Sequence, residues 1–590
     1  MPSRLVALRA ELRRQKLDAF IVPRQDEFQG EYVAAYAERL KWITGFGGSW
    51  GVAVIGQKTA AIFVDGRYTL QVKHEVDGKA FQFHHLMTSP PSEWIAKSFK
   101  KGARIGYDPR ILSMADAKRY AAACEKAQLK LVPVSRNPID AIWKDQPSRP
   151  SSPIVDHSLK YAGQSVAQKL EGIRSTLKEK GADAVILADP TSVAWAFNLR
   201  GADVPFTPVS LCYAMVPATG KAHLFVDGKR LSAALQKSIK AHAICSGANV
   251  DAVLTSLGKS KVKVMLDPIA APDHFRLALQ KSGASIIESP DPCMLSKAMK
   301  NKAEQQGARN AQLRDGVALC NFLCWLDDVA NSGKLSEGET ARKLLAFRQE
   351  NKELRDLSFE SISAAGPNSA LPHYHAHGEG RRLALNSIYL IDSGGQYPDG
   401  TTDVTRTVII GKPSEEMCDR FTRVLKGMIA VSLICFPEGT TGAHLDSLAR
   451  AALWKAGLDF DHGTGHGIGS YLSVHEGPQR ISKTGNAALK PGMIISNEPG
   501  YYKTGHFGIR IENLLLVSKA QKLKGGDRAM LGFETLTFAP IDRRLIDTKL
   551  LTREELHWVD SYHAEVLSKL ENRVSAATKP WLKEACAPFN

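Results

Sequence analysis

The sequence predicts an α/β (α+β) chain in which two similar mixed domains precede a strand-rich domain and a C-terminal extension. Three observations carry the prediction. At 590 residues the chain is too long for one core, since domains run to roughly 100–200 residues, so three or four domains are expected. A helix-then-strand order from Leu5 to Val22, ending in DAFIV, recurs from Leu170 to Leu187, ending in DAVIL. From about Glu353 to Val517 the pattern turns to strands and hairpins.

The first copy continues through ITGFGGSWGVAVIG and TAAIFVDGRY and the second through AWAFNLRGADV and AHLFVDG, as a duplicated domain would. The polar, proline-containing run Asp145 to Pro153 separates them. Ser296 to Asp328 reads as one long helix, with Ala311, Leu313, Val317, Leu319, Leu323 and Leu326 on its apolar face, and opens the third domain. The tail beyond about Leu531, which holds LTREELHWVDSYHAEVLSKL, reads as an extra strand segment and a closing helix pair, for packing or dimerisation. The expected domains are residues 1–150, 151–298, 299–528 and 529–590.

Hydrophobic content of 44% with 23% charged residues fits a globular protein and excludes a disordered or fibrous class. The net charge of +16 is spread thinly. Its densest stretches, Lys97 to Arg104 and Lys259 to Lys263, hold one aromatic, Phe99, where single-strand binding interleaves several, so no nucleic-acid partner is expected. Nine cysteines without a Cys-x-x-Cys pair argue against a disulfide framework and a thiolate zinc site, and fit a reducing, cytoplasmic compartment. Glu11 and Asp18 interrupt the basic N-terminal stretch, which reads as an amphipathic helix rather than a presequence. With no run of about 18 apolar residues, no membrane span is expected.

The chemistry concentrates in the strand-rich window. In YLIDSGGQYPDGTTDVTRTVII, two apolar strands flank the turn signal Pro398-Asp399-Gly400. Asp392 and Asp403 lie nearly symmetrically about it, so they are expected to face each other at a Cβ separation of about 5 Å. IISNEPGYYKTGHFGIRIENLLLV repeats the design, with a turn at Lys503-Thr504-Gly505-His506 and Glu498 and Glu512 on its arms. Four such carboxylates, buried without cations, would cost several kcal/mol each, so a metal cluster is the physical answer. Arg510, two residues from Glu512, is expected to orient a carboxylate from behind.

Between the hairpins, HGTGHGIGSYLSVHEG supplies His462, His466 and His475, with Gly463, Gly465, Gly467 and Gly469 expected to let backbone and ligand approach. Oxygen ligands with one or more imidazoles suit manganese, cobalt or zinc, and bridging carboxylates imply ions ~3.5–4 Å apart. Any one of these residues alone has a bland reading; His373 in LPHYHAHGEG could be an ordinary satisfied histidine. His375 and His377 read as a solvated turn, with a second metal-scavenging cluster as the alternative. The glycine run is no dinucleotide fingerprint, because Ile468 and Ser470 stand where the third glycine belongs. Gly258-Lys259-Ser260 lacks the first phosphate-loop glycine, Val253 occupying its place, and reads as a surface turn.

The motifs IDSGGQYPDGTTDVTRT, HGTGHGIGSYLSVHEG, SNEPGYY and GIRIEN resemble the signature of the creatinase/methionine aminopeptidase superfamily, the pita-bread fold. Length and the duplicated upstream domain resemble its three-domain, cytosolic aminopeptidase P type, so the resemblance implies two creatinase-N-like domains before a pita-bread metallopeptidase domain. It implies five metal ligands, Asp392, Asp403, His466, Glu498 and Glu512, holding two divalent ions, Mn2+ before Zn2+ or Co2+. It further implies that His373, His462 and His475 line a substrate pocket supported by Arg510, with Glu498, His475 and His373 catalytic. The implied substrates are peptides with proline in second place, and the implied assembly is a homodimer. Rival readings are a prolidase-like dipeptidase, a methionine aminopeptidase, a metal-free creatinase-like enzyme and a non-catalytic binding module on the same fold. Two upstream domains disfavour the first two, and five intact ligands the others.

Overall fold

The computed structural model describes residues 2–247, 249–376 and 378–589. The chain divides into two compact units, Met1–Leu159 with Gln164–Met294 and Lys160–Gly163 with Leu295–Asn590.

In the first unit, helix Pro2–Arg14 leads into strand Ala19–Pro23, and helix Val166–Lys180 into strand Ala184–Leu187. Each strand is apolar and buried at nearly every residue, as a strand covered on both faces must be. Each sits inside a six-stranded mixed sheet. Ala19–Pro23 pairs antiparallel with Val52–Gly56 and parallel with Arg104–Tyr107; Ala184–Leu187 pairs antiparallel with Tyr213–Pro217 and parallel with Lys263–Leu266. The sheets share their strand order, so the duplication is one of topology. The Gly258-Lys259-Ser260 triplet spans the end of helix Asp251–Lys259: Gly258 is buried against Ser282, whose Oγ a Cβ would meet at 1.9 Å, while Lys259 and Ser260 are exposed where the helix runs out into the expected turn.

The expected long helix is two, Pro292–Ala298, which runs across the division at Met294, and Lys302–Val329 in the second unit. Asn301 breaks it by capping: its side chain accepts from the amides of Ala303 and Glu304, and the Glu304 carboxylate accepts from the Asn301 amide. Strands Ile362–Ala365, Ser387–Ser393 and Val404–Ile410 form one sheet, and Glu476–Ile481, Gly465–Gly467, Ile494–Asn497, Asn513–Val517 and Phe533–Thr535 another, in that order.

Two helices that the strand reading passed over, Glu415–Leu433 and Gly442–Trp454, lie in the same window. Phe421, Val424, Leu425 and Met428 of the first share a core with Ile388, Ile409, Ile509 and Ile511, each worth about 1.5–3 kcal/mol when fully buried. In the C-terminal extension, helices Arg553–Leu570 and Thr578–Ala585 add Tyr562, Val566, Leu570 and Leu582 to that core. No helix among the described residues is long and apolar enough to cross a membrane.

Candidate metal centre

The first hairpin departs from its expected register. Asp392 lies opposite Thr405, not Asp403, because Tyr397 pairs with Gly400 and leaves Pro398-Asp399 as a two-residue loop. The helix Lys302–Val329 fixes that loop: Arg314 grips the Asp399 carboxylate, and Gly400 lies so close that a Cβ would stand 3.0 Å from the Ala311 methyl. The second hairpin keeps its expected register. Gly500 pairs with Arg510 and Lys503 with Phe507 around Gly505, whose φ of 77° is open to glycine. On the far side Asn497 pairs with Asn513 in the same register, so Glu498 and Glu512 face each other between the two ladders.

The histidine-bearing strand Gly465–Gly467 lies between Glu476–Ile481 and Ile494–Asn497. A Cβ on Gly465 would stand 1.9 Å from the Ser496 carbonyl oxygen, and one on Gly467 would stand 2.3 Å from that of Glu476. These two glycines therefore serve the close approach of neighbouring backbone that was expected of them.

These elements bring the five predicted ligands together. His466 Nε2 stands 3.4 Å from Asp403 Oδ2 and 3.2 Å from Glu498 Oε1. Asp403, His466 and Glu512 each offer a ligand atom within 4.8 Å of the others. Asp392 Oδ1 and Glu512 Oε1 are buried without a hydrogen bond. Their sister oxygens are held, Asp392 Oδ2 by Arg510 Nη2 at 2.6 Å and Glu512 Oε2 by Thr405 Oγ1 at 2.8 Å. Arg510 thus braces a carboxylate, Asp392 on the other hairpin, and also donates to the Tyr502 hydroxyl at 2.7 Å.

Burial, reinforced by neighbouring carboxylates, pushes Asp403 and Glu512 well above the usual carboxylate range. Burial raises Asp392 as well, with Arg510 opposing it. At Glu498 burial is outweighed by the hydrogen bond and charge of His466, which take it down to about 2. His466, pulled down by burial, is lifted by Glu498 and Glu512 to about 9. The cluster is short of positive charge, has two buried carboxylate oxygens without a hydrogen bond and combines oxygen donors with one imidazole. Those properties fit divalent cations.

The remaining histidines differ in how closely they join the cluster. The His475 ring stands perpendicular to that of His466 with centroids 4.2 Å apart. His462 Nε2 meets the Tyr502 hydroxyl at 2.8 Å, and burial lowers its pKa to about 4, so it is neutral near pH 7. His373 is half-buried in the turn after the short 3-10 helix Gly366–Ala370; Ser369 of that helix accepts from the Gly508 amide, on the strand that carries Arg510. His375 Nδ1 lies 3.4 Å from Glu360 Oε2, and His377 lies outside the described residues.

Sequence reasoning missed several supporting groups. Thr405, two residues beyond Asp403, holds Glu512, and Ser496 Oγ donates to Glu498 Oε1 at 3.1 Å. Strand alternation from Asp403 and Glu498 could have found both. Arg406 is hidden behind Glu512, donating to the carbonyls of Thr405, Glu512, Ala539 and Pro540. Its acceptors come from distant segments, so no local pattern announces it.

Residues 306–519 match the model of metallopeptidase family M24, and 529–589 that of the C-terminal region of peptidase M24. Residues 4–142 and 145–304 each match a creatinase/prolidase N-terminal domain. Fold and site therefore define a metallopeptidase of the pita-bread class. A probable Xaa-Pro aminopeptidase P of Talaromyces marneffei is 39% identical, over 99% of this chain and 92% of its own length. That of Laccaria bicolor is 38% identical, over 99% and 93%. The chain belongs to the Xaa-Pro aminopeptidase P family.

Among solved structures, an X-prolyl aminopeptidase from Caenorhabditis elegans, described as a cytosolic enzyme with a di-nuclear active site, superposes with a TM-score of 0.95 at 33% identity, covering 100% of this chain and 99% of its own. An Xaa-Pro dipeptidase from Bacillus anthracis, 23% identical with a TM-score of 0.53, covers 64% of this chain and 99% of its own, and shows the fold alone.

Proposed function

We infer that the chain is a metallo-aminopeptidase that removes the N-terminal residue from peptides whose second residue is proline. The observation that carries this reading is the convergence of Asp392, Asp403, His466, Glu498 and Glu512 on one buried cluster with two unpartnered carboxylate oxygens, in a chain of this family. Those five residues would hold two divalent ions. When bound, the ions supply a Lewis acid for the scissile carbonyl and an activated water as nucleophile.

The protein's own groups do the rest. The Glu498 side chain is 17% exposed against 10% for Asp392 and 5% for Asp403, so it is the carboxylate best able to reach the attacking water. It takes that water's proton and returns it to the leaving prolyl nitrogen. His475 and His373 donate to the developing oxyanion, a contribution of about 2.7–4 kcal/mol for groups in that role. His462 lines the pocket from its anchor on Tyr502, and Arg510 closes the wall behind Asp392, near which the free amino terminus sits. Proline suits such a site because an X-Pro bond offers no N–H to enzymes that grip an extended backbone.

A domain division after residues 150, 298 and 528, manganese as the native ion, a homodimer and a cytoplasmic location complete the reading. Oxygen-rich ligation supports the metal, and nine free cysteines support the compartment. The test is product analysis on an Xaa-Pro-Yaa peptide with a free or an acetylated N-terminus. The reading expects release of the first residue from the free peptide only; equal cleavage of both contradicts it.

A further inference from the structure

Behind the histidine loop lies a buried ion pair that the chemistry above does not use. Lys300 Nζ donates to Glu476 Oε1 at 2.5 Å, and the side chains are 0% and 1% exposed. Lys300 is also fixed by its backbone: its amide donates to the Gly492 carbonyl at 3.0 Å, its own carbonyl accepts from Gln305 Nε2 at 2.7 Å, and its ammonium donates to the Lys297 carbonyl at 2.8 Å. The ammonium is therefore a rigid peg set between the helices Pro292–Ala298 and Lys302–Val329.

Glu476 is the residue after His475 and opens the strand Glu476–Ile481, where it pairs with Gly467, next to His466. The carboxylate pinned by Lys300 thus anchors the backbone one peptide unit from His475, which lies in the bend just before the strand and sets its ring across that of His466. A buried ion pair is a poor stabiliser, because desolvating both charges offsets most of their attraction and apolar residues of similar volume do as well. What it supplies is a fixed position.

We propose that Lys300, acting through Glu476, is a positioning residue that sets the placement of the His475 imidazole for the reaction. The inference rests on the aminopeptidase reading above. Lys300 touches neither substrate nor ligand cluster, so its loss lowers turnover while leaving binding and metal content in place. Removing an outer partner of this kind costs about 10–100-fold.

The test is steady-state kinetics on an Xaa-Pro-Yaa peptide, with bound-metal content and melting temperature, for wild type, Lys300→Met and the double variant Lys300→Met with Glu476→Met. In Lys300→Met, kcat falls about 10–100-fold, KM changes little and metal content is unchanged. The double variant, freed of a buried carboxylate that only Lys297, 3.8 Å from Glu476 Oε2, would then face, recovers the melting temperature and not kcat. A folded Lys300→Met with wild-type kcat, or a double variant that regains both properties, overturns the inference. Should Lys300→Met fail to fold, the double variant decides alone: reduced kcat supports the inference and wild-type kcat overturns it. A wild type inactive on Xaa-Pro peptides overturns the underlying reading and this inference with it, whereas an active wild type with an unaffected Lys300→Met overturns this inference alone.

Discussion

Arg510 and Asp392, from two different hairpins, are joined by a 2.6 Å hydrogen bond that ties the ligand-bearing strands to each other. The guanidinium leaves Asp392 Oδ1 directed elsewhere and without a partner, so one carboxylate is half neutralised by protein and half reserved. Replacing Arg510 with Met removes the cation from a buried carboxylate. Divalent-metal affinity falls about 10–100-fold, as for other outer partners of ligands, and activity at limiting metal falls with it. Calorimetric metal titration measures this; unchanged affinity contradicts it.

Metal-free protein carries Asp403 under strain, its pKa raised by burial and by Glu512, Asp392 and Glu498. A carboxyl whose folded pKa is raised contributes nothing unfavourable below its unfolded value of about 3.9, and it destabilises progressively as pH climbs toward the folded value. In chelator, Asp403→Asn is therefore more stable than wild type at pH 8, and the gap closes as pH falls to about 4. Adding manganese raises the wild-type melting temperature through binding to the native state, and raises that of the variant far less. Urea midpoints across this pH range, with and without metal, check both statements.

His563 gives the opposite sign. It is fully buried in helix Arg553–Leu570, its Nε2 accepts from the Ile541 amide at 3.1 Å, and burial, with Arg406 and Arg543 nearby, lowers its pKa to about 3. Its stabilising contribution is complete above the unfolded value of about 6.5 and is lost as pH falls from there toward 3. Between pH 6.5 and 5 that loss is about 2 kcal/mol. His563→Gln flattens this limb of the stability profile; an unchanged acid limb contradicts the assignment.

Two glycine substitutions separate packing from flexibility. A Cβ on Gly394 would stand 1.9 Å from the Thr402 carbonyl oxygen, between Asp392 and Asp403, so Gly394→Ala costs about 1–3 kcal/mol and weakens metal binding. Gly172 lies in helix Val166–Lys180 with nothing within 4 Å of an added Cβ, so Gly172→Ala gains about 0.5–1 kcal/mol and leaves activity unchanged. Denaturant midpoints read both.

The duplicated sheets were legible because helix, strand and turn recur in order, and the second hairpin because Gly505 and the strand pattern fix its turn locally. The first hairpin was misplaced because its register depends on Arg314 and Ala311 of a helix distant in sequence, which no local signal reveals. Helices Glu415–Leu433 and Gly442–Trp454 were overlooked amid conspicuous strand motifs, although their amphipathic spacing is present in the sequence. The four carboxylates were marked by charge and their places about the turns, and His466 among three histidines by the family resemblance, while Thr405, Ser496 and Arg406 act through hydrogen bonds that alternation only partly encodes.

The most direct measurement is hydrolysis of Arg-Pro-Pro against Arg-Ala-Ala, after chelation and again after adding manganese, by wild type and by Asp403→Asn. The account predicts cleavage of the proline peptide alone, lost with chelation, restored by the metal in wild type and absent in the variant. No cleavage by wild type under any divalent ion, or cleavage indifferent to proline, contradicts it.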